Sequence, residues 1–155
     1  MSPTLREDLR QNKPFTTIYE EAFLNVARTS ARLSDAIDEL FKAHGITAAQ
    51  YNVLRILRGS EPDGLCRNEL RDRMITRMPD MTRLLDRMEE AGLVTRSRER
   101  EDRRMVLTRI TTRGLEILDE LDGPISENHK AQLGHLSSAE LRSLIDLLTA
   151  VRNKA

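Results

Sequence analysis

Arginine dominates the middle of this chain in a way that the totals conceal. All 13 basic residues from Arg67 to Arg113 are arginines, set against 9 acidic residues, so that stretch carries +4; the remainder, with 12 basic and 16 acidic residues, carries −4, and the whole is neutral. The four lysines, Lys13, Lys42, Lys130 and Lys154, all lie outside it. A guanidinium offers a planar fork of N–H donors that fits phosphate oxygens and guanine edges, where an ammonium offers a point charge. Zero net charge by itself argues against a nucleic-acid binder, but the distribution is uneven and makes this basic middle the candidate contact surface.

Other chemistries find no footing. There is no Ser/His/Asp arrangement with a nucleophile elbow, no Gly-rich phosphate loop, and no acid paired with a histidine on a predictable face. No catalytic residue is therefore assigned, and the chain is not read as an enzyme. His44, His129 and His135 lack metal-site spacing, and neither a metal nor a cofactor is expected. The single Cys66 cannot close an intrachain disulfide, which fits a reducing compartment and gives the cytoplasm as the expected location. It falls where a short helix is predicted to begin, so a Cys66-based redox-responsive regulator is one alternative reading. No stretch approaches the roughly 18 uninterrupted apolar residues of a membrane span, and the first residues hold no apolar leader.

The elements that must position the arginines follow from periodicity. With 155 residues, 39% of them apolar and 3% aromatic, and no tryptophan, the chain predicts one α-rich domain. Residues 1–14 are polar and aperiodic and read as a mobile arm. Phe15, Ile18, Tyr19, Ala22, Phe23, Val26, Leu33, Ile37, Leu40 and Phe41 recur at helical spacing and predict one long helix over 15–43, stopped by Gly45. Its length exceeds what a compact core hides, which points to a partner subunit. Thr47 and Gln50 form a capping box for a second helix ending near Gly59; 59–64 is a loop, and a short third helix covers 67–74.

Met81, Leu84, Leu85 and Met88 step by three, one and three, with Gly92 placed for a left-handed cap, and give a fourth helix over 79–91. Its outward positions are Asp80, Thr82, Arg83, Asp86 and Arg87. Two β-prone runs, 93–98 and 105–110, flank a charged tip and read as a hairpin. Thr111 or Thr112 caps a fifth helix carrying Leu115, Leu118 and Leu121, with a kink or break expected at Gly123-Pro124. Ser137 and Glu140 box the last helix, whose stripe is Leu141, Leu144, Ile145, Leu148 and Val151.

The order ααααββαα is mainly helical with a small β-hairpin. Two short helices in succession, the second with a polar outer face, followed at once by an Arg-rich hairpin, make a winged helix-turn-helix. Its second helix fits the major groove, and the hairpin can lie along the neighbouring backbone or minor groove.

At these residues the chain resembles a known family. The run Leu84-Leu85-Asp86-Arg87-Met88-Glu89-Glu90-Ala91-Gly92-Leu93-Val94 is similar to the recognition helix of the multiple antibiotic resistance regulator (MarR) family and its exit into the wing. The run from Asp102 to Gly114 resembles the family's wing signature, an Asp-x-Arg, a strand, then Thr and Gly opening a helix; Ile46 to Leu54 looks like its second-helix opening. The resemblance covers 15–151.

It implies a single domain over 1–155, a homodimer held by helices within 15–43 and 115–153, and a DNA-binding lobe over 47–113. It further implies a near-palindromic operator and repression released by a small aromatic or phenolic effector. By role, Arg104 enters the minor groove, with Arg103 beside it as the alternative, and Asp102 holds the guanidinium. Thr82, Arg83 and Arg87 face the major groove or its phosphates, and Arg77 and Asp80 are further contact candidates. An Asp two residues before an Arg in a hairpin lies on the same strand face, so the Asp102–Arg104 pairing also stands on geometry.

The chain departs from the family at Arg71, where Ala is usual, and in the turn 76–80, which lacks a Ser-rich entry. A non-sensing winged-helix protein-interaction module is the other alternative. The arginine distribution and Arg104 favour double-stranded DNA, because a protein-binding face requires neither.

Overall fold

The computed structural model describes residues 4–99, 102 and 104–154, which fall into two compact units, Met1–Ile37 and Asp38–Ala155. In the first, a helical turn α1 (Leu5–Asp8) interrupts the polar arm, and the long helix α2 (Ile18–Ala43) begins. Thr4 and Glu7 cap α1 reciprocally, and the Asp8 carboxylate accepts from Arg28 at 3.1 Å and Arg32 at 2.6 Å, one turn apart on α2. A four-residue helix is too short for periodicity to signal. The α2 face bearing Ile18, Tyr19 and Phe23 is open to solvent, with Tyr19 82% exposed.

The second unit holds α3 (Ala48–Arg58), β1 (Leu65–Cys66), α4 (Arg67–Arg73), α5 (Met81–Glu90), β2 (Val94–Arg98), β3 (Val106–Ile110), α6 (Thr112–Leu133) and α7 (Ser138–Arg152). The expected boxes at Thr47 and Ser137 close, each hydroxyl accepting from the N–H three residues on. Val53, Leu54 and Leu57 of α3, Leu70 of α4, Leu85 and Met88 of α5, Val94 of β2, and Leu118 and Leu121 of α6 are fully buried and form the core. Arg58 of α3 forks onto Asp122 of α6 at 2.8 and 2.9 Å, which holds the Asp122 carboxyl below its ordinary range.

The hairpin pairs Val94 with Ile110 through to Arg98 with Val106. It gains a third antiparallel strand, β1, in the order β1-β3-β2, with Leu65 opposite Thr108. Two residues carry no readable alternation, so nothing in the sequence announced β1. The approach is tight: a Cβ on Gly64, at φ +78°, would lie 2.6 Å from the Thr108 carbonyl oxygen, so glycine is required there.

Of the kink or break expected at Gly123-Pro124, the break does not occur. Helix α6 runs unbroken from Thr112 to Leu133 with Pro124 inside it. Proline removes one backbone bond, but the buried stripe of Ile117, Leu118, Leu121 and Ile125 continues across the site at helical spacing and packs both halves onto the core.

Candidate nucleic-acid interface

Helix α5 is oriented by its apolar side. Met81, Leu85 and Met88 are buried, so Thr82, Arg83 and Arg87, on the other side, are exposed. Its end is a double hydrogen-bonded turn, Leu93 N–H to Met88 O and Gly92 N–H to Glu89 O, both 2.9 Å, with Gly92 at φ +72° as expected. Its start is capped by Asp80, whose Oδ1 accepts from Arg83 N–H at 3.0 Å. The Asp80 carboxylate is thus engaged at the helix N-terminus, where negative charge also meets the positive end of the helix dipole.

The turn between α4 and α5 is pinned to α3 by Asn52, whose Oδ1 accepts from Ile75 N–H at 2.8 Å. Arg77 is exposed and lines a hollow of about 440 Å³ with Met78, Pro79 and residues of α4. At the departure from the family pattern, Arg71 is exposed beside Asp72 while Leu70 alone is fully buried, so the packing of α4 does not depend on position 71.

A larger cleft of about 540 Å³ opens between α4, α5 and the wing. It brings together Thr82, Asp102 and Arg104 of the expected residues, and adds Cys66, Arg67 and Arg96. Arg67 donates to the Thr82 hydroxyl at 2.9 Å. Arg83, Arg87, Arg77 and Asp80 do not line this cleft, and Arg103 lies outside the described residues.

Asp102 and Arg104 do interact, but differently from the expectation. The Asp102 carboxylate accepts from the main-chain N–H of Arg104 at 2.9 Å, and Met105 N–H donates to the Asp102 carbonyl at 3.0 Å. These residues sit in the hairpin tip, ahead of β3, where strand alternation does not apply; an Asp at a tip folds back onto the N–H two residues on. The contact fixes the turn, and no carboxylate among the described residues pairs with the Arg104 guanidinium.

Nothing in its spacing sets Arg96 apart from the other arginines of 67–113, yet it is the most engaged of the cleft residues. It donates from Nη2 to Asp86 Oδ1 at 2.6 Å and to Glu89 Oε2 at 2.7 Å, and from Nε to the same Glu89 oxygen at 3.1 Å. Its main-chain N–H reaches Glu89 Oε1 at 3.0 Å. These bonds hold the Glu89 carboxyl below its usual range and raise the Arg96 guanidinium. Asp86, expected on the outward face, is engaged by the wing.

Among the described residues no group of three or more His, Cys, Asp or Glu could hold a metal ion, and no helix is long and apolar enough to cross a membrane. Exposed guanidinium groups on a helix and a hairpin, flanking an open cleft, can bind phosphate and base edges.

Comparisons with known proteins agree with this arrangement. The sequence profile of the MarR family matches residues 44–105. The transcriptional regulator PapX of Escherichia coli is 31% identical over 94 residues, which cover 61% of this chain and 57% of PapX, so the chain spans little more than half of that relative. A MarR transcription factor of Planctomyces limnophilus, solved as a crystal structure, is 39% identical, with 88% of this chain and 99% of that one covered and a TM-score of 0.67. A mutant of MarR from Escherichia coli, crystallised with operator DNA, is 25% identical over 88% of this chain and 99% of its own, with a TM-score of 0.76. These relatives are transcription regulators rather than enzymes. The chain belongs to the MarR family of DNA-binding transcriptional regulators.

Proposed function

We infer that this protein is a cytoplasmic homodimeric repressor that sets α5 into the major groove of one half of a near-palindromic operator and lays its wing along the adjacent minor groove. The observation that carries this reading is the common cleft of Thr82 on α5 and Arg104 on the wing, beside the exposed Arg83 and Arg87. Thr82, Arg83 and Arg87 serve the major groove or its phosphates, and Arg77 touches backbone at the helix entry. Arg104 enters the minor groove, where the negative potential is deepest over A·T pairs. Asp80 and Asp102 act by holding the helix start and the hairpin tip.

Dimerisation is supported by apolar faces that the chain leaves uncovered: Ile18, Tyr19 and Phe23 on α2, and Ile145, Leu147 and Val151 on α7. Release by a small aromatic or phenolic effector follows the family resemblance. Selection of bound sequences from random duplex DNA tests the main reading, since it yields operator and half-site spacing together. A two-fold repeat spaced by one helical turn is expected, and enrichment of no sequence overturns the reading. A screen of aromatic acids for release of that DNA tests the effector.

A further inference from the structure

We propose that Arg96 is a positioning residue for operator recognition: by gripping Asp86 and Glu89 it locks α5 at a set angle to the wing without itself touching DNA. The inference rests on the DNA-binding function above and names how its two contact elements are held together.

Charge poses the problem that Arg96 solves. With its N-cap, α5 carries Arg83 and Arg87 against Asp80, Asp86, Glu89 and Glu90, a net charge of −2 on the helix meant for a polyanion's groove. Asp80 is occupied as the cap. Asp86 and Glu89, one helical turn apart, face the wing and are both met by the one guanidinium, at 2.6 and 2.7 Å. The group that does this has the geometry for it. Arg96 stands two residues beyond the first strand residue, Val94, in a ladder opposite Thr108, so its backbone is fixed by the sheet. Its side chain is only 24% exposed, against 49% for Asp86 and 40% for Glu89, and the main-chain N–H adds a fourth bond, the third to Glu89.

The rigid, planar guanidinium holds both carboxylates through several donors in one fixed geometry, which the single rotatable ammonium of a lysine does not reproduce. The consequence is an α5–wing unit in which Thr82 and Arg104 keep a constant separation across the cleft. Operator specificity depends on that separation, because major- and minor-groove contacts must be made together, whereas binding to random DNA depends chiefly on net charge.

The test measures affinity for the selected operator and for a random duplex, each across a salt series, with circular dichroism to confirm folding. Arg96→Lys keeps the charge and loses the fork; its random-duplex affinity is expected within about twofold of the unaltered chain while operator affinity falls about tenfold. Asp86→Asn with Glu89→Gln removes two negative charges; simple electrostatics predicts tighter binding everywhere, whereas the proposal predicts tighter random binding and an operator-to-random ratio reduced about tenfold. If Arg96→Lys fails to fold, this nearly isosteric pair decides.

An unchanged ratio in the folded variants overturns the positioning role. So does a salt slope that falls by about one for Arg96→Gln, which would make Arg96 a direct phosphate ligand. Failure of the DNA-binding function is distinguished at once, because the unaltered chain would then enrich no sequence.

Discussion

Helices α5 and α7 are both amphipathic and both belong to the same compact unit, yet they spend their apolar stripes differently. Met81, Leu85 and Met88 of α5 vanish into the core, whereas α7 has no buried residue and leaves Ile145 and Leu147 61% and 68% exposed. Both helices are capped, α5 by the Asp80 carboxylate alone and α7 by a reciprocal box of Ser137 and Glu140, so capping does not explain the difference. Periodicity therefore tells where a stripe is, and only packing tells whether this chain or a second copy covers it. For α5 the buried stripe turns Thr82, Arg83 and Arg87 outward; for α7 the open stripe is material for a dimer.

Truncation should separate the two helices most sharply. Leu85→Ala leaves a cavity in a fully packed site and should cost about 2–5 kcal/mol in urea unfolding. Leu147→Ala should change the unfolding of the isolated chain little and instead raise the dimer dissociation constant in sedimentation. Equal losses of chain stability would erase the distinction and with it the case for α7 as an interface.

Next in size is the wing. Arg104→Ala should weaken operator binding by about 1–3 kcal/mol and flatten the preference for A·T pairs beneath the hairpin, read by competition with substituted operators. Asp102→Ala should weaken binding too, although it removes an acid near phosphate, because the Arg104 N–H loses the acceptor that shapes the tip. Tighter operator binding by Asp102→Ala would show that the turn contact does nothing for recognition.

The cap of α5 comes third. Asp80→Ala should lower thermal stability by about 0.5–2 kcal/mol, and Asp80→Asn, which still accepts from Arg83 N–H, by less. A loss of operator affinity in Asp80→Asn, with stability kept, would move Asp80 from cap to contact.

The smallest effect is a pH dependence. Asp122 is held below its ordinary value by the bidentate Arg58, so this pair adds stability above an unfolded carboxylate pKa of about 3.9 and loses it as pH falls through the lower folded value. Asp122→Asn should be less stable than the unaltered chain near neutral pH, and the two should converge in acid melting curves. Parallel curves down to the lowest pH would show that the pair contributes nothing.

Features governed by neighbours a few residues away were legible from the chain alone. The boxes at Thr47 and Ser137, the left-handed Gly92, the buried side of α5 and the strands of the hairpin all follow from interactions over three to five residues or from simple alternation, and these place Thr82, Arg83, Arg87 and Arg104 on their elements. Contacts between elements were not. The third strand at Leu65 and Cys66, the passage of α6 through Pro124 and the grip of Arg96 on Asp86 and Glu89 join residues whose pairing has no local signature. Even Asp102, close to Arg104 in sequence, binds its N–H instead of its guanidinium, because a tip curls where a strand would alternate. Short-range hydrogen bonding and burial are written in spacing, but which charge meets which, and which apolar stripe finds a partner within the chain, is decided when the elements pack.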